Sequence, residues 1–131
     1  MSPHEESRYI EDWRKVARQD WHRIRIMLAD GDGAGFFLQQ ALEKYLKAYL
    51  LGHGWRLKKI HTPHSLLDDA AAFESRLAPF RPACEKISGF YFAERYPSVG
   101  AEGVLTEDVQ QALPVVRELI GWLFPDEVLE P

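Results

Sequence analysis

This sequence predicts an all-α fold, an antiparallel bundle of about five helices. Three observations carry that expectation. Apolar residues recur at three- and four-residue spacing through five separate stretches. Clusters containing glycine or proline separate those stretches. No stretch shows the apolar–polar alternation of a half-buried strand.

The first helix spans about Ser7 to Ala29. Tyr9, Trp13, Val16, Ala17, Ile24, Met27 and Leu28 share one of its faces. Asp20 falls in the middle of that face, and a lone buried charge costs several kcal/mol unless it is paired. Arg14, Arg18 and Arg25 form a second stripe, read as solvated. Asp30-Gly31-Asp32-Gly33 ends the helix with residues that tolerate left-handed backbone. The second helix, about Ala34 to Leu51, is apolar over most of its girth through Leu38, Leu42, Tyr45, Leu46, Tyr49 and Leu50. Its breadth of apolar surface makes it the expected centre of the bundle. Gln40, Lys44 and Lys47 form a narrow polar stripe opposite, with Gln39 and Glu43 on the border.

The third helix starts at Thr62-Pro63, with Thr as N-cap and Pro in the first turn, and runs to about Arg76. His64 sits in its first turn. The fourth covers about Pro82 to Glu94, with Cys84, Ile87, Ser88, Tyr91 and Phe92 on one face. Arg95 follows on that same apolar side, so Asp20 and Arg95 are expected to pair or to face one cleft. The fifth helix begins with Thr106 as N-cap and Glu107-Asp108 in its first turn. Val109, Ala112, Leu113, Val116, Leu119, Ile120 and Leu123 make its stripe, and Pro114 falls on the opposite side.

A chain of 131 residues is read as one domain, 1–131, with flexible ends at about 1–6 and 125–131. An apolar fraction of 46% sets it apart from disordered chains. The net charge of −4 gives no global attraction to nucleic acid or acidic lipid. Cys84 is the only cysteine, which excludes an internal disulfide and fits a cytoplasmic setting. The polar N-terminus lacks a signal-peptide core, and no apolar run approaches the length of a membrane span. His53, His61 and His64 match no metal-ligand spacing, so neither metal nor cofactor is expected. Phosphate-loop, dinucleotide, zinc-protease and nucleophile-elbow motifs are all missing.

Four segments, taken in order, carry a resemblance. Phe37-Leu38-Gln39-Gln40-Ala41-Leu42-Glu43-Lys44-Tyr45-Leu46-Lys47 has the pattern Phe-x-Gln-Gln-Ala-x-Glu-Lys-x-x-Lys. Ala17-Arg18-Gln19-Asp20-Trp21 precedes it; His61-Thr62-Pro63-His64-Ser65-Leu66 and Tyr91-Phe92-Ala93-Glu94-Arg95-Tyr96-Pro97 follow it. Together they resemble the HEPN domains, small helical proteins named for nucleotide binding, and the helical half of kanamycin nucleotidyltransferase. The resemblance implies a bundle that commonly forms a homodimer and often works beside a separate nucleotidyltransferase, some pairs acting as toxin and antitoxin. Other branches are metal-independent ribonucleases using Arg-x(4–6)-His. No histidine follows Arg95 here, and Arg56-x4-His61 lies in a loop outside the motif's position.

Two functions are therefore expected in order. The first is a nucleotide-binding or protein-interaction module, with Lys44, Lys47, His64 and Arg95 meeting phosphate and Tyr91 or Tyr96 stacking on a base. The alternative is a ribonuclease toxin built on Arg95 and His64. Val115 and Trp122, flanking the stripe of the fifth helix, are the expected dimer contacts.

Overall fold

The computed structural model describes residues 9–56, 58–59, 62–90 and 103–129 in full, and 91–95 as backbone. Five α-helices are described: α1 (Ile10–Ile26), α2 (Gly31–Gly52), α3 (Pro63–Phe73), α4 (Arg81–Arg95) and α5 (Thr106–Leu123). A 3₁₀ segment, Ser75–Phe80, joins α3 to α4. No strand occurs among the described residues.

α2 is the axis of the bundle and touches every other α-helix. Leu38, Leu42, Tyr45, Leu46 and Leu50 are fully buried along it, and Ala34, Ala41 and Ala48 let neighbours approach closely. Each of those leucines contributes roughly 1.5–3 kcal/mol by burial. α1 runs antiparallel to α2. Arg23 stacks over Phe37, Asp20 meets Lys44, and Lys47 lies over Trp13, a register that reverses along the pair.

The helix boundaries depart from the periodicity in informative ways. α1 stops at Ile26, and Gly31-Asp32-Gly33 is the first turn of α2 instead of a left-handed stop. Asp30 caps that turn by accepting from the Gly33 amide at 3.3 Å. The glycine at 31 answers a close approach. A Cβ there would lie 2.0 Å from the Val104 carbonyl oxygen. Residues 103–105 cross the α1–α2 turn at this point, where the Val104 amide donates to Asp32 at 2.7 Å. Gly103 takes φ +67°, backbone that favours glycine.

Thr106 is the first residue of α5, not its cap. Leu105 holds the cap position, Asp108 accepts from its amide, and the Thr106 hydroxyl donates to the Leu28 carbonyl across the turn. α3 ends at Phe73, three residues short of the expected Arg76. Glu74 is extended, and the chain tightens into the 3₁₀ segment containing Pro79, which places Leu77 in the core. Thr62 and Pro63 open α3 as expected, although the Thr62 side chain makes no capping bond. Pro114 lies exposed within a continuous α5.

Residues 125–129, expected to be a flexible end, fold back onto the bundle. The Glu127 side chain is 2% exposed, and Leu129 packs against the core. Among the described residues no helix is long and apolar enough to cross a membrane.

Candidate functional site

The polar residues of α2 face inward. Glu43 and Lys47, one turn apart, form an ion pair at 3.1 Å with side chains 5% and 3% exposed. The Lys47 ammonium also lies 5.2 Å from the Trp13 ring centre. Lys44 donates to Asp20 at 2.8 Å and to the Gln40 carbonyl at 2.9 Å, while the Gln40 amide donates to Gln39 at 2.7 Å. Arg23 closes the chain by donating to the other Asp20 oxygen at 2.9 Å. The charged and amide positions of the Phe-x-Gln-Gln-Ala-x-Glu-Lys-x-x-Lys pattern thus build a buried polar ladder between α1 and α2. The polar stripe of Gln40, Lys44 and Lys47 is covered by α1. Asp20 is buried and paired, but its partners in the described structure are Lys44 and Arg23. The side chains of Tyr91 and Arg95, and Tyr96 and His61 entirely, lie outside the described residues.

His64 is held by α4. The Ser88 hydroxyl donates its one proton to the Cys84 carbonyl at 2.8 Å. It also lies 2.9 Å from His64 Nδ1 and 3.4 Å from the His64 backbone amide. The fold thus brings the start of α3 against the middle of α4. Arg95 is seven residues beyond Ser88, about 10 Å along the helix axis at 1.5 Å per residue. Burial pushes the neighbouring Cys84 thiol up to about 12. Among the described residues no group of three His, Cys, Asp or Glu side chains could hold a metal ion.

A concave polar surface lies elsewhere. An open groove of about 590 Å³ runs along the outer side of α1 and is walled by the folded-back tail. Lys15, Arg18, Gln19, His22 and Arg23 supply its polar lining, and Trp21, Ile26, Val128 and Leu129 its apolar lining. Among the described residues no carboxylate lines it. Arg18 and Arg23 already serve Glu127 and Asp20, yet each side chain is 47% exposed and keeps N–H groups beyond those bonds.

Behind the groove, Arg14 and Arg18 close on one carboxylate. Arg14 donates to Glu127 Oε1 through Nε at 3.1 Å and Nη2 at 2.9 Å. Arg18 donates to Oε2 through Nε at 2.8 Å and to Oε1 through Nη2 at 3.1 Å. Asp126 accepts from Arg14 at 3.3 Å, and the Arg14 guanidinium stacks 4.3 Å from the Phe124 ring centre. The buried Tyr45 hydroxyl faces Glu127, and burial, then the Glu127 charge, raise its pKa. For Arg14 the bonds to Glu127 and Asp126 outweigh desolvation, and for Arg18 the Glu127 bond leads; both pKa values rise. The arginines read from sequence as a solvated stripe thus bind the tail. Nothing in the sequence pattern of residues 125–129 signals this, because a single acidic side chain outside a helix has no periodicity.

A family model described as HEPN domain matches residues 10–127. No curated protein and no solved structure matches the chain.

Proposed function

The chain belongs to the HEPN domain family, and from that premise we propose that it is a nucleotide-binding module that assembles as a homodimer. The cationic groove on α1 carries the reading. Its lining joins N–H donors suited to phosphate with an apolar wall suited to a base, and among the described residues it holds no opposing carboxylate. Phosphate contacts are assigned to this groove rather than to Lys44 and Lys47, whose ammonium groups are held by Asp20 and Glu43. Val115 and Trp122 are 37% and 42% exposed on α5, which supports that helix as the face met by a second copy. A separate nucleotidyltransferase, in a toxin–antitoxin-like pair, is the further partner proposed. The Asp20–Arg95 contact is also kept as a proposal, tested by a cycle of Asp20→Asn and Arg95→Met.

The test is a titration of fluorescent adenine and guanine nucleotides into the purified protein. Saturable binding is expected, weakened about tenfold or more in Lys15→Glu/Arg23→Gln through the loss of charge-assisted contacts. Failure of every nucleotide to bind, or binding indifferent to this double change, overturns the reading.

One observation favours a second reading, the metal-independent ribonuclease. Ser88 holds His64 on the helix pair that carries Arg95, a position suited to a general base. Cleavage of labelled RNA that survives chelation and disappears in both His64→Ala and Arg95→Ala would establish it.

A further inference from the structure

We infer that Arg14, Arg18 and Tyr45 form a phosphate-binding socket that the chain's own Glu127 occupies and that a phosphate group displaces. The inference rests on the groove reading only through Arg18, which the two share.

Four observations support it. Two guanidinium forks are spent on a single carboxylate, an arrangement that a phosphate, with more oxygens and more charge, satisfies better. The Tyr45 hydroxyl is fully buried beside that carboxylate. Oε1 already accepts three arginine N–H groups and Oε2 one, and a phosphate would offer this donor a further oxygen. The tail lies outside any helix, with Asp126 and Val128 74% and 84% exposed, so it can leave without unwinding α5. Val128 and Leu129 also wall the groove, so movement of the tail and occupancy of the groove are coupled.

A tethered carboxylate competes at the high effective concentration of an intramolecular group. Removing its charge is therefore expected to raise the apparent affinity for inorganic phosphate by about tenfold or more. Calorimetry with inorganic phosphate on the full chain tests this in wild type and Glu127→Gln. Tyr45→Phe and Arg18→Gln, each added to Glu127→Gln, should reverse the gain. A Glu127→Gln protein with wild-type circular dichroism and no gain in phosphate affinity overturns the inference and leaves a purely structural tie.

Should Glu127→Gln fail to fold, the wild-type tail reports directly. A fluorophore on Val128→Cys, with Cys84 buried and unreactive, should lose anisotropy saturably as phosphate is added. No change, or the same change with sodium chloride of equal ionic strength, overturns the proposal. Because inorganic phosphate carries no base, the two readings fail separately. Nucleotide binding lost in Lys15→Glu/Arg23→Gln concerns the groove, and phosphate gained in Glu127→Gln concerns the socket.

Discussion

Glu43 and Lys47 show what a single-helix pattern misses. Their i, i+4 spacing was visible, but the wheel of α2 alone put Lys47 opposite the apolar face. Burial comes from Trp13 on α1, a contact that no sequence window contains. Glu43→Ala is expected to cost roughly 3–5 kcal/mol in urea unfolding, because it strands a buried ammonium. Glu43→Leu/Lys47→Met should cost less than the sum of the two single changes. Asp20, by contrast, was recognisable as a polar residue in an apolar stripe, and it is buried and paired. Its described partners sit one turn along α1 and across on α2, positions the stripe does not name. Cys84 gives a pH-dependent expectation. Its thiol titrates near 12 in the fold, against about 8.5 when unfolded. Below about 8.5 both states hold the proton and no stability depends on it; above that, the unfolded chain loses its proton first, so stability falls as pH rises. Thiol reagents at pH 8 should label Cys84 only at the rate of unfolding, which absorbance of a released chromophore would follow.

At the level of elements, the helices were readable because burial imposes a 3.6-residue period, and the breadth of apolar surface on α2 correctly marked it as central. The ends were less readable. Gly31-Asp32-Gly33 looked like a stop, but residues 103–105 press against Gly31 and select glycine there for space. The 3₁₀ segment after α3 has no period long enough to declare itself. Pro114 sits exposed in the middle of α5, where it removes one backbone hydrogen bond. Pro114→Ala should therefore stabilise the fold by about 1–3 kcal/mol, seen as a higher melting temperature in circular dichroism. On the same helix, Trp122→Glu is expected to convert the proposed dimer to a monomer in light scattering. A wild-type monomer at micromolar concentration would remove the dimer.

The whole molecule is a bundle that spends most of its sequence-visible candidate charges on itself and keeps its open cationic surface on α1. From the purified protein we expect no ribonuclease activity: His64 is oriented by Ser88, but the family's histidine beyond Arg95 is missing. Incubation with labelled RNA checks this. The groove was only half readable, since Arg18 was seen as part of a stripe and the tail that makes it concave was not. That tail also orders events during synthesis. Glu127 lies 113 residues after Arg14, a delay of roughly 6–23 s at ~5–20 residues per second on the ribosome. For that interval Arg14 and Arg18 have no Glu127 to bind, and they meet the anions of their surroundings before they meet their own carboxylate.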